Sequence, residues 1–88
     1  MTKNEVIITN ETGLHARPAA NLVGLCKKFK SKITITNSSN NQNCNAKSIL
    51  SVLAGGFSKG VNICIEADGE DEQIAINEVS TYIKELVE

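Results

Sequence analysis

His15, Arg17 and Pro18 are the sole histidine, arginine and proline of an 88-residue chain, and they fall within four positions. Around them runs Gly13-Leu14-His15-Ala16-Arg17-Pro18-Ala19-Ala20. Glycine opens backbone angles closed to other residues, so Gly13 lets the chain turn sharply. Proline is tolerated in the first turn of a helix, where its missing N–H costs nothing, and the alanines from Ala16 onward favour helix. His15 is therefore expected at or just before a helix N-terminus. Such a terminus presents N–H groups without intrahelical partners and roughly half a positive charge, a ready anion site. An imidazole nitrogen beside it is a nucleophile next to an anion cradle. The guanidinium of Arg17 adds a fork of donors that grips phosphate oxygens bidentately. Together these groups suit a transient phosphohistidine. The competing reading is a histidine that merely caps a helix.

The elements that must position this set are read from periodicity. Residues 5–9 are rich in β-branched side chains and predict a strand, with a turn at 10–13 that delivers His15. Residues 16–29 predict a helix whose buried face is Ala19, Leu22, Val23, Cys26 and Phe29. Lys27, Lys28 and Lys30 are expected in its last turn, where cations complement the dipole. Residues 32–36 alternate cleanly, placing Ile33 and Ile35 inward on a half-buried strand. The Asn- and Ser-rich stretch 37–45 predicts a hairpin turn and a short strand.

Ser48 is a candidate N-cap for a short helix over 49–54, ended by Gly55 and Gly56. Ile49, Leu50, Val52 and Leu53 exceed what one face can bury. A mixed outcome is expected, with Val52 and Leu53 partly inward and an exposed apolar patch over Ile49, Leu50 and Leu53 that marks a partner surface. Residues 61–67 alternate again, with Val61, Ile63 and Ile65 on one side. After a turn at Asp68-Gly69, Glu70, Asp71 and Glu72 cluster where a last helix begins and its dipole favours negative charge. Ala75, Val79, Ile83 and Leu86 mark that helix's buried stripe, flanked by Ile76 and Tyr82. Two long amphipathic helices against four half-buried strands predict an α+β fold: a two-layer open-faced sandwich, an antiparallel four-stranded sheet with three helices on one face.

Composition narrows the function classes. The length suits one domain over residues 1–88. The formal net charge is −1, with no basic stripe or aromatic platform, which argues against a nucleic-acid surface. No stretch approaches the roughly 20 apolar residues of a membrane span, and the start does not read as a signal peptide. Three widely spaced cysteines without a C-x-x-C and a single histidine leave no usual zinc pattern and no disulfide framework. Free thiols suit a reducing cytosol. Cys26 and Cys64 are expected as small core residues, and Cys44, in a polar stretch, as exposed. The acidic triplet reads as a helix cap rather than a metal site.

The Gly13-Leu14-His15-Ala16-Arg17-Pro18-Ala19 motif resembles the active-site signature of the phosphocarrier protein HPr family of the bacterial phosphoenolpyruvate-dependent sugar phosphotransferase system. Length and element order agree with that resemblance. Asn45-Ala46-Lys47-Ser48-Ile49-Leu50 is similar to the regulatory serine motif of the family in low-GC Gram-positive bacteria. Against the family, the Asn-rich hairpin looks about two residues longer, an insertion that a surface loop tolerates.

The resemblance implies a cytoplasmic carrier, not an enzyme, without metal or other cofactor. It implies that His15 accepts a phosphoryl group at Nδ1 from phosphorylated enzyme I and yields it to enzyme IIA domains. Arg17 would pair with the phosphate, and the N–H groups of Ala16 and Arg17 would supply the helix-end cradle. Ser48 would be phosphorylated by a dedicated HPr kinase/phosphorylase, altering docking at Ile49, Leu50 and Leu53 and recruiting a catabolite control protein. A monomer is expected. Two other classes remain: a regulatory paralogue acting mainly as a binding module for that transcription factor, and a hydrolase using His15 as general base. No Ser or Asp partner for the second is evident.

Overall fold

The computed structural model describes residues 1–87. The chain runs β1 (Thr2–Ile7), α1 (Ala16–Cys26), β2 (Lys32–Asn37), β3 (Gln42–Asn45), α2 (Ile49–Ala54), β4 (Asn62–Asp68) and α3 (Glu72–Lys84). The strands form one four-stranded sheet in the order β1-β4-β2-β3, every neighbouring pair antiparallel. The expected two-layer α+β architecture is what the chain adopts.

Alternation along the strands sorts the two faces of the sheet. Val6 and Ile8, Ile33 and Ile35, Cys44, and Val61, Ile63, Ile65 and Ala67 all turn inward. Ala19, Leu22, Val23 and Cys26 of α1 and Ala75, Ile76, Val79 and Ile83 of α3 meet them in one apolar core. The other sheet face carries Lys3, Glu5, Thr34, Thr36, Asn62 and Glu66 and is left to solvent. A sheet with one covered and one wet face needs this pattern.

Several boundaries differ from the sequence reading. The first strand starts at Thr2, not at residue 5, and its ladder ends at Ile7. Its polar beginning is held because half-buried Thr2 and exposed Asn4 find polar partners on α3. The Thr2 hydroxyl donates to Glu72, and Asn4 Nδ2 donates to Ser80 Oγ at 2.9 Å. The first helix ends at Cys26, three residues before Phe29. There the bonds tighten to the i→i+3 kind, Lys28 N–H to Leu25 and Phe29 N–H to Cys26. Lys27, Lys28 and Lys30 therefore follow the last turn instead of occupying it. What draws the chain away is the Asp71 carboxylate, which accepts from the N–H groups of Lys30 (2.8 Å) and Ser31 (2.9 Å) and from the Ser31 hydroxyl.

The same carboxylate explains the start of α3. Asp71 stands at its N-cap but makes no side-chain cap bond, because its oxygens are committed across the loop. Glu72 is the acid of the first turn, and Glu70 pairs with Lys30 at 3.1 Å. Among the described residues, no three His, Cys, Asp or Glu side chains gather as a metal site would require.

The cysteines exchange their expected places. Cys44 is buried, since its register partner Ile35 also faces the core. Cys64 pairs with Glu5 and Thr36 on the outer face and is half-buried. Its alternation with Ile63 and Ile65 requires that side. Cys26 is buried as expected, and burial pushes its thiol up to about 12.

Candidate functional site

The path from β1 to α1 is fixed before His15 is reached. Asn10 is only 4% exposed, and its Nδ2 donates to the Gly13 carbonyl at 2.9 Å. The Gly13 N–H donates back to the Asn10 carbonyl at 3.3 Å, closing a tight turn. Gly13 sits at φ +63°, a left-handed conformation. A β-carbon there would lie 2.3 Å from the Phe57 carbonyl oxygen and 2.7 Å from the Ser58 α-carbon. Glycine is thus required twice, by its angles and by the close approach. The next amide, that of Leu14, donates to the Phe57 carbonyl at 2.8 Å. Leu14 and Phe57 are both buried, so the loop before His15 is bolted to the connection between α2 and β4.

His15 then occupies the N-cap position of α1, with extended backbone angles (φ −82°, ψ −172°). Its carbonyl accepts the first helical bond, from Ala19 N–H at 2.8 Å. Its imidazole makes no capping bond and is exposed. The plain capping role for this histidine is therefore not the one its side chain performs. Ala16 and Arg17 are the first two helical residues, both exposed, and Pro18 brings no N–H to the third. Helix-end N–H groups at this position have no partner within the helix and favour an anion. Expected as a set, His15, Ala16 and Arg17 do come together at one helix mouth.

The second expected region lies on α2, which packs against α1. Ser48 is its N-cap, and the Ser51 N–H donates to Ser48 Oγ at 3.3 Å. The helix ends at Ala54 with Gly55 as C-cap. Only Val52 is buried. Leu50 is 80% exposed and Ile49 and Leu53 are each 44% exposed, so the apolar patch is present on the surface. Beside it, Lys47 Nζ reaches the Phe29 carbonyl at 2.7 Å, just past the end of α1.

Sequence reasoning missed the braces. Asn10 read as one polar residue of a turn, and its burial was not signalled. Asn37 is also buried, and its Nδ2 donates to the carbonyls of Gly55 (2.8 Å) and Gly56 (3.0 Å), which fixes the segment leading to Phe57. The sequence pattern makes Tyr82 only a flank of α3, yet its hydroxyl donates to the Pro18 carbonyl at 2.9 Å.

The sequence model of a family described as the PTS HPr component phosphorylation site matches residues 2–85. The chain belongs to the HPr family. It is a phosphocarrier of the phosphotransferase system, not an enzyme. The phosphocarrier protein HPr of Buchnera aphidicola is 43% identical over 86 residues, covering 98% of this chain and 99% of its own. The structure of HPr-C-His from Thermoanaerobacter tengcongensis superposes with a TM-score of 0.90 at 39% identity, over 96% of this chain and 92% of that one. Crh, a Bacillus subtilis catabolite repression protein solved as a dimer with swapped domains, gives a TM-score of 0.77 at 34% identity, over 100% and 99% of the two chains. Family membership brings phosphotransferase-system partners with it. Among the described residues, no helix is long and apolar enough to cross a membrane.

Proposed function

We propose that residues 1–88 act as one cytoplasmic HPr-like domain that carries a phosphoryl group on His15. The group comes from phosphorylated enzyme I and goes to enzyme IIA domains. The observation that carries this reading is an exposed imidazole at the N-cap of α1 that makes no capping bond. The lone pair of Nδ1 attacks phosphorus, the bond to the donor breaks, and the donor keeps its electron pair. The transferred oxygens then lie beside the N–H groups of Ala16 and Arg17, whose fixed dipoles need no reorganisation. The Arg17 guanidinium pairs with the phosphate bidentately. Positioning and charge stabilisation are completed by each partner, so the complexes are short-lived.

Incubation with phosphoenolpyruvate and enzyme I tests this. The protein is expected to gain an acid-labile, base-stable phosphate that His15→Ala abolishes. Unchanged labelling of that variant, or no labelling of the wild type, rejects the reading.

A second layer is proposed at Ser48, as the target of an HPr kinase/phosphorylase. The half-exposed hydroxyl at the start of α2, beside Ile49, Leu50 and Leu53, supports it, as does the similarity to Crh. A phosphate there adds about −2 charge next to the apolar patch, which selects between enzyme I and a catabolite control protein. Ser48→Asp is expected to take label at His15 more slowly; an unmodified rate removes this layer. The carrier is read as a monomer, and gel filtration distinguishes it from a swapped dimer of the Crh kind.

A further inference from the structure

We propose that Asn10 is a positioning residue for His15, setting the ring's place through the backbone of Gly13 and Leu14. The proposal rests on His15 being the phosphoryl acceptor. Asn10 grips Gly13 from both sides: its side-chain amide holds the Gly13 carbonyl at 2.9 Å, and its own carbonyl holds the Gly13 N–H at 3.3 Å. The peptide so held joins Gly13 to Leu14, and Leu14 is pinned in turn by its 2.8 Å bond to the Phe57 carbonyl. Only one residue separates this clamp from the imidazole. Glycine tolerates many backbone angles, so Gly13 is the joint at which the segment would otherwise swing. The clamp removes that freedom through the backbone that leads to the ring. An exposed nucleophile with no side-chain bond of its own at the cap depends on its backbone for aim. Small misplacements of a reacting atom lower transfer rates steeply.

Asn10 is nearly buried, so loss of its amide also leaves the Gly13 carbonyl short of a donor, and stability falls. The test separates the two effects. Asn10→Asp keeps the shape but has no N–H, Asn10→Ala removes the whole group, and Asn10→Ser restores a donor. Val79→Ala, on the buried face of α3, lowers stability without touching the loop. Each is assayed as a substrate of enzyme I at a temperature where it is folded, together with relaxation of the His15 ring resonances. For Asn10→Asp and Asn10→Ala we expect kcat about tenfold lower with KM unchanged, a more mobile ring, and partial recovery in Asn10→Ser. Val79→Ala should match the wild type. Wild-type kcat and ring order in Asn10→Asp or Asn10→Ala overturn the proposal while the His15 reading stands. If the wild type takes no label, that reading fails, and the ring relaxation still decides whether Asn10 orders His15. Should both donor-less variants fail to fold, Asn10→Ser decides: kcat and ring order identical to wild type with the weaker donor reject the clamp.

Discussion

Gly13 carries more constraint than any neighbour of His15. Its φ of +63° disfavours a side chain, and the Phe57 carbonyl and Ser58 α-carbon fill the space where a β-carbon would go. Both obstacles are backbone, so neither moves aside as the tip of a flexible side chain would. Gly13→Ala is expected to lose about 2–4 kcal/mol of stability, the sum of a left-handed conformation and an overpacked contact. Urea denaturation measures that loss. At temperatures where the variant is folded, labelling of His15 should also slow, because the strain is relieved by shifting Leu14 and the start of α1. By contrast, Gly24 lies in open space on α1, and Gly24→Ala serves as the control that keeps stability or raises it.

At the level of elements, α2 shows what a local sequence can dictate. A serine at the cap, six helix residues and a glycine pair fix both ends, and the structure has those ends. Ser48→Ala removes the acceptor for the Ser51 N–H and should cost about 1 kcal/mol. Ser48→Asp retains a cap acceptor and should lose little. Thermal melts of the two variants therefore diverge, although neither touches the core. The mouth of α1 was equally legible, since glycine, histidine and proline in that order punctuate a strand-to-helix turn. The end of α1 and the beginning of β1 were not. Each is decided by a distant partner: Asp71, forty residues beyond Ser31, draws the chain off the helix, and Ser80 and Glu72 accept the polar residues of β1. Cys64 is expected in the core for its small apolar side chain, whereas its alternation with Ile63 and Ile65 puts it on the outer face. Cys44 is expected to be exposed because its neighbours are polar, but its register with Ile35 puts it inside. The clamp at Asn10 left no trace in the pattern, because only tertiary packing makes a turn asparagine a buried one.

Across the whole molecule, the site and the main polar clasp stand at opposite ends of the sheet. β1 ends and β4 begins near the His15 loop, whereas Thr2 and Ala67 pair at the far end, where α3 starts. The hub there is Glu72. The Thr2 hydroxyl, the Met1 ammonium at 3.0 Å and the Gly69 N–H at 3.2 Å converge on its carboxylate, and these bonds, Thr2 foremost, hold it down to about 2. A carboxyl whose folded pKa lies below its unfolded value of 4.5 stabilises the fold above that value. The contribution shrinks as pH falls from about 4.5 and is gone below about 2. Asp71, lowered chiefly by the Ser31 hydroxyl, acts in the same direction. The melting temperature should therefore drop across this window in the wild type and drop less in Glu72→Gln, which starts lower at neutral pH. Because the clasp lies a full strand length from His15, Glu72→Gln at pH 7 should accept phosphate at the wild-type rate. A variant with normal acid sensitivity would show that the clasp is not what ties β1 to α3, and one slow to accept phosphate would show that the two ends of the sheet are coupled.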